Sequence, residues 1–254
     1  MQETKDIYGF IVENWKAQLA GFPTEDSYVF NETKIKEEDP SISGGTYIIS
    51  GDNRIIACVA DGISRDFNDG SLVKSDLGSL IKSWKGEYPL YAQSAARICR
   101  DTFLEKKSLE KANDAIWNYN QEKGLVLTDY LGRDLAGCTA AGFSEEGYIL
   151  QWQFICDSGL VILDKSGKLK FKTSDEGPHS KEKNPYLEEI LKQHGGFDNQ
   201  EGRALIRSKF RNNPSEQFAY GALTGEETAL PYIRKGEERL NDGDFVLLYT
   251  DGVG

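Results

Sequence analysis

The stretch RIIACVADG, residues 54–62, decides how this chain is read. Residues 55–60 are all apolar, short and partly β-branched, the signature of a buried strand. The run ends on Asp61, so a carboxylate sits at the mouth of a rigid element. Gly62 follows, and a glycine there permits unusual backbone angles and lets its carbonyl approach a cation. Taken alone, Asp-Gly is also an ordinary turn. The ending recurs, however. Asp157, followed by Ser158, closes the apolar run 148–156, and Asp251, followed by Gly252, closes FVLLYT at 245–250. A fourth acidic motif, Glu25-Asp26, stands just before the short strand-like segment 27–30. Consecutive strand residues face opposite ways, so one of that pair can bind a metal while the other orients a ligand or water. Several converging carboxylates repel one another unless cations lie between them. The set therefore points to a hard-metal site built from oxygen ligands.

Working outward, residues 46–50 and 54–59 flank Gly51-Asp52-Asn53, which predicts a hairpin. Ala92, Ala95, Ala96, Cys99 and Phe103 recur at helical steps, and Leu109, Ala112, Ala115, Ile116 and Tyr119 repeat the pattern after a break at 106–108. Ser108 is placed to cap the second helix. Two helices joined so tightly are expected to pack antiparallel across a sheet. Residues 139–143, 148–156, 160–163 and 169–173 read as four more strands and, with the turns between them, as an antiparallel meander. A polar loop covers 175–184, and Asn184-Pro185 opens a short helix that Gly195-Gly196 closes. Residues 197–230 show no strong period, and the turn at 241–244 leads into the last strand. With no repeat and no linker, 1–254 reads as one α+β domain.

The chain has 254 residues and a net charge of −11. Nucleic acid and anionic membranes need basic patches, so neither is expected as a partner. The excess acidity serves either solubility or metal ligation. No signal peptide opens the sequence and no apolar run approaches about 18 residues, which makes a cytoplasmic protein the expectation. Cys58, Cys99, Cys138 and Cys156 are scattered without a Cys-x-x-Cys, and read as small core residues rather than as a zinc or disulfide set. His179 and His194 are the two histidines. Neither stands in a nucleophile motif, and Gly-x-Ser-x-Gly and Walker patterns are absent from the sequence. Trp15, Trp84, Trp117 and Trp152 are expected in the core or at its rim.

In their order along the chain, Glu25-Asp26-Ser27, Ala60-Asp61-Gly62, the paired helices, Gly137-Cys138-Thr139-Ala140, Cys156-Asp157-Ser158 and Gly243-Asp244 through Thr250-Asp251-Gly252 resemble the protein phosphatase 2C family. These are the metal-dependent Ser/Thr phosphatases, and the resemblance covers nearly the whole chain. It implies an antiparallel β-sandwich flanked by helices on both faces, in α-β-β-α layers. It also implies two Mn²⁺ or Mg²⁺ ions, and possibly a third, at one end of the sandwich. Asp61 would bridge the two metals. The Gly62 carbonyl and Glu25 would serve one and Asp251 the other. Asp26 would hold metal-bound water, and Asp157 would help a weaker third site. The implied reaction is in-line attack on phosphoserine or phosphothreonine of a phosphoprotein substrate by a hydroxide bridging the ions, with Asp61 and Asp26 as the catalytic residues.

The chain departs from the family in three places. Gly21 stands where many members carry a phosphate-gripping Arg, and Lys16 is the nearest cation upstream. Ile63-Ser64-Arg65 replaces a Met-Gly-Gly or His-Gly-Gly, which removes a candidate general acid and offers Arg65 as a substitute clamp. The sequence given ends at Gly254, before the last helix and strand of the family and the Asp they carry. These departures motivate a second reading, a catalytically weak or inactive phosphatase-like module that binds a phosphoprotein or a kinase partner. A third reading is a plain cation-binding α+β protein. Turnover lost on Asp61→Asn separates the first from the second, and metal binding without phosphate chemistry marks the third.

Overall fold

A computed structural model describes residues 26–27, 47–51, 54–63, 91–127, 130, 134–178, 185–194 and 200–250. In chain order these form strands β1 (Asp26–Ser27), β2 (Tyr47–Gly51) and β3 (Arg54–Gly62), then helices α1 (Tyr91–Lys106) and α2 (Leu109–Glu122). Strands β4 (Cys138–Glu146), β5 (Ile149–Ile155), β6 (Gly159–Leu163) and β7 (Leu169–Lys172) follow. Helices α3 (Pro185–His194) and α4 (Gln200–Phe210) and strands β8 (Arg234–Arg239) and β9 (Phe245–Tyr249) complete the set. The fold is α+β. Six strands form one antiparallel sheet in the order β1-β3-β4-β5-β8, with β2 also paired to β3, and β7-β6-β9 form a second.

The period of two in β3 explains the layering. Ile56, Cys58 and Ala60 pack in one cluster with Ala95, Cys99, Phe103, Leu109 and Ile116 of the helices. Ile55, Ala57 and Val59 point the other way, into clusters shared with Leu160, Ile162, Val246 and Leu248 of the second sheet. β3 is therefore buried on both faces, which is why its sequence is a continuous apolar run. β4 alternates likewise. A side chain at Gly142 would strike the Phe103 ring, with a Cβ only 2.6 Å from it, so glycine lets α1 lie flat on the sheet. Trp152 fills the space between the sheets, 5.5 Å from the Phe171 ring and 5.9 Å from Phe154.

The expected helix pair is present, and Ser108 caps α2 by accepting the Lys111 N–H at 3.1 Å. Gln153 of β5 fastens the junction to the sheet. Its Oε1 accepts the Leu109 N–H (2.9 Å), and its Nε2 donates to the Lys107 carbonyl (3.0 Å). The short helix after Asn184 also lies where the Pro and Gly signals put it.

Three expectations need correction. The four-strand meander is broken after β5: β4 and β5 pair in the larger sheet, whereas β6 and β7 pair in the other. Chain continuity in a sandwich demands such a crossing somewhere, and here it falls at Asp157. Residues 197–230 hold an unexpected helix, α4, and a 3₁₀ turn at Glu227–Tyr232. Strand β8 was not foreseen, because Arg-Lys-Gly-Glu-Glu-Arg lacks any apolar alternation. It lies at the sheet edge, where charge is normal.

The helices α1 and α2 cover the outer face of the larger sheet. The outward residues of the smaller sheet, Leu169, Phe245 and Leu247, are exposed. No helix among the described residues is long and apolar enough to cross a membrane.

Replacing Ser108 by Ala removes the α2 cap and should cost about 1 kcal/mol, read as a lower urea midpoint at unchanged slope. All four cysteines are buried and free. Burial pushes the Cys58 and Cys156 thiols well up, and a hydrogen bond with Cys138 does the same for Cys99. Thiolate is the reactive form. Native protein at neutral pH should therefore leave all four thiols unlabelled by an aromatic disulfide reagent, and urea-unfolded protein should label fully.

Candidate metal and phosphate site

β1 pairs with β3 so that Asp26 stands directly opposite Asp61, and β4 pairs so that Thr139 stands opposite Asp61 from the other side. Directly opposed residues share a face of the sheet, with Cβ atoms about 5 Å apart. The alternation along β3 puts that face inside the sandwich, since Val59 and Ala57 of the same parity pack against the second sheet. Asp61 is half-buried there and Gly62 is buried. Beyond Gly62 the chain stays tethered, because the Ile63 N–H donates to the Gly137 carbonyl at 3.0 Å.

Asp157 reaches the same end of the sandwich from the crossing between sheets. Cys156, just before it, takes a left-handed φ of 69°, unusual for a residue with a side chain. The turn is held by the Glu176 N–H, which donates to the Cys156 carbonyl (2.9 Å), and by Ser158, whose Oγ lies 2.9 Å from Thr139 Oγ1 in a buried hydroxyl pair. Asp61, on the larger sheet, and Asp157, in the turn that leads to the smaller one, are thus linked through Thr139 and Ser158.

The loop after β7 supplies residues that the sequence reading did not assign. A Cβ at Gly177 would lie 3.0 Å from Asp157 Cβ and 3.2 Å from Asp175 Oδ1, so both carboxylates border this glycine. Asp175 Oδ1 accepts the Gly177 N–H at 2.9 Å, an Asx turn that an Asp-x-Gly after a strand signals. Burial raises the Cys156 thiol, and the charges of Asp157 and Asp175 add to the shift, as expected of a thiol beside two carboxylates. Glu176 accepts from Arg234 Nε with both oxygens, at 2.8 and 2.9 Å. Arg234 pairs with Phe154 at the site end of β8, which places a cation on the rim.

A second unassigned element is the segment from Tyr220 to Glu226. Leu223 exchanges both backbone hydrogen bonds with Cys138, the first residue of β4. Buried Asn120 clamps the two together: its Nδ2 donates to the Ala136 and Thr224 carbonyls and its Oδ1 accepts the Ala136 N–H. Gly137 has to be glycine, because a Cβ would meet Thr224 Cγ2 at 2.7 Å. The paired glycines at 221 and 225 around Ala-Leu-Thr were the available signal.

Behind this loop, Asp134 is fully buried, accepts hydrogen bonds from both guanidinium amines of Arg211 (2.7 and 3.0 Å), and forms an ion pair with Arg207, whose Nε lies 3.0 Å away. Burial alone would lower the Arg211 pKa, but Asp134 and Glu226 hold it above its ordinary value. The cluster anchors residues 134–138, hence Gly137 and Thr139, to the end of α4.

Of the residues expected to bind metal, the structure brings Asp26, Asp61, Gly62 and Asp157 to one end of the sandwich. Glu25 and Asp251 lie outside the described residues, as do Lys16, Gly21, Arg65 and His179. Among the described residues no group of three or more His, Cys, Asp or Glu side chains is gathered closely enough to hold an ion. Asp61, Asp157 and the Gly62 carbonyl are hard oxygen groups, of the kind that would suit Mn²⁺ or Mg²⁺ rather than a soft metal.

No protein-family model matches the sequence, and no curated protein does. Solved structures are similar in shape. RsbX in complex with magnesium aligns over 90% of this chain and 79% of its own, at 15% identity and a TM-score of 0.44. The serine/threonine phosphatase PstP/Ppp of Mycobacterium tuberculosis aligns over 82% and 72%, at 16% identity and 0.46. A stage II sporulation E family protein from Thermanaerovibrio acidaminovorans aligns over 82% and 80%, at 16% identity and 0.45. Likeness at these values assigns no activity, which has to come from the residues of this chain.

Asp134→Asn removes the counter-charge shared by two buried guanidinium groups and leaves Arg211 with Glu226 at 3.8 Å. It should cost about 3 to 5 kcal/mol in urea unfolding, far more than a surface ion pair.

Proposed function

We propose that this chain is a metal-dependent protein phosphatase of the 2C type that hydrolyses phosphoserine or phosphothreonine. The observation that carries the reading is the register of β1, β3 and β4. It sets Asp26 against Asp61 on the interior face of the sandwich, at the end where Asp157 makes the crossing between sheets. Carboxylates from separate strands at one edge of a hydrophobic core are costly unless a cation is their purpose.

In this reading Asp61, the Gly62 carbonyl, Glu25 and Asp251 would hold two Mn²⁺ or Mg²⁺ ions, and Asp157 would serve a third. Bound there, the ions would supply an activated water and neutralise charge on the phosphoryl oxygens. Asp26 orients the attacking water by accepting a hydrogen bond from it. Strand β3 holds Asp61 fixed, so the carboxylate needs no reorganisation during the reaction. Direct attack by water requires no covalent phosphoenzyme, in keeping with the absence of a nucleophile motif from the sequence. Arg234, half-exposed at the rim, would meet the phosphate of a substrate by exchanging its Glu176 partner for it, where Gly21 provides no cation.

The test is hydrolysis of a phosphothreonine peptide by the protein with Mn²⁺, with chelator, and as Asp61→Asn. Turnover should need Mn²⁺ and should fall more than about a hundredfold in the variant, beyond the loss typical of an outer-shell partner of a metal. Folded protein with equal activity before and after the substitution would sink the proposal. Binding of a phosphoprotein that survives Asp61→Asn without turnover would establish the regulatory module instead.

A further inference from the structure

We propose that the buried hydroxyl pair Thr139–Ser158 positions the two halves of the metal site, fixing the gap between Asp61 on one sheet and Asp157 at the entrance to the other. The inference rests on the phosphatase reading of this end of the sandwich.

Three observations carry it. Thr139 is the direct cross-strand neighbour of Asp61, and Ser158 is the chain neighbour of Asp157. Their oxygens lie 2.9 Å apart, with Ser158 fully buried and Thr139 7% exposed. Behind the pair, the contact between sheets is made by Val59, Ala141 and Phe154 with Trp152 and Leu248. Apolar contact is non-directional and tolerates sliding, whereas a hydrogen bond fixes a distance and an angle. The pair is therefore a directional contact beside both Asp61 and Asp157.

The tie continues into the second sheet. Thr173 Oγ1 accepts the Leu160 N–H at 3.0 Å and lies 3.4 Å from the Tyr249 hydroxyl. Gly159 makes room for this, since a Cβ there would come within 2.7 Å of Tyr249 Cζ. Tyr249 stands two residues before Asp251. Hydroxyl groups thus accompany the Asp61, Asp157 and Asp251 motifs in the sequence, and the buried Thr139 and Ser158 act through their neighbours Asp61 and Asp157, as positioning residues.

The test is Mn²⁺ binding to the folded protein, read by electron paramagnetic resonance of free Mn²⁺ and independent of activity. Thr139→Val keeps the shape and removes the hydroxyl, Ser158→Ala removes its partner, and Thr139→Ser restores the hydrogen bond. Loss of an outer-shell partner typically weakens a metal site 10- to 100-fold, so Val and Ala should each lower Mn²⁺ affinity about tenfold or more, and Ser should stay within about threefold of the parent. Ser108→Ala loses stability at the far end of the sheet and should leave Mn²⁺ affinity unchanged, separating positioning from general loosening. If Thr139→Val does not fold, Ser158→Ala and Thr139→Ser decide the matter by the same comparison. Folded Thr139→Val or Ser158→Ala that binds Mn²⁺ as the parent does would overturn the positioning role while leaving the metal site standing. A folded parent that binds no Mn²⁺ would overturn the phosphatase reading and this inference with it.

Discussion

Everything at the candidate site depends on the pairing of Arg54–Gly62 with Cys138–Glu146. Nine residue pairs run in unbroken antiparallel register, and both strands are buried on both faces. A slip of one residue would turn every side chain to the opposite face, sending Asp61 under the helices and Ala60 into the sandwich. Such a slip would bury a carboxylate among Cys58, Cys99 and Cys138, with no cation within reach. The apolar core and the acidic site therefore enforce the same register, one by burial and the other by exclusion.

That double constraint explains which parts were legible in the sequence. Strand β3, helices α1 and α2, the Ser108 cap and the short helix after Asn184 could all be read from local pattern, because burial periodicity and end chemistry are local signals. The crossing at Asp157 could not. Residues 148–173 look like consecutive hairpins whether or not the chain changes sheet, and only packing of Leu160 and Ile162 against Ala57 and Leu150 decides it. Strand β8 escaped for the opposite reason: its side chains carry no burial pattern, and its place comes from backbone pairing with β5. Among the candidate residues, the strand-end positions of Asp26, Asp61, Gly62 and Asp157 were readable. Asp175, Arg234 and Asp134 were not, because each acquires its role from a neighbour distant in sequence.

The polar groups buried around the site follow a consistent logic. Asn113 accepts the Gly225 N–H and donates to the Glu226 carbonyl, Asn120 joins residues 136 and 224, and Asn212 binds Ala222 through both side-chain groups. Each asparagine supplies hydrogen bonds to backbone that lies inside the protein without a regular ladder. This lets an irregular segment be buried beside β4 and offers the Gly137–Thr139 corner a rigid backing. The Asp134 cluster does the same with charge.

The crossing at Cys156–Ser158 also bears on how the protein is made. Asp26 and Asp61 come opposite each other as soon as the first strands pair, but Asp157 joins them only when β6 has entered the second sheet and β9, about eighty residues further on, has closed beside it. The ends of that closure are far apart along the chain, so it carries a large loop entropy and belongs among the later events of folding. A nascent or partly assembled chain can hold its first sheet and its helices without owning a complete acidic site. On the metal-dependent reading proposed above, full cation affinity would then belong to the finished sandwich and not to a ribosome-bound or half-folded chain.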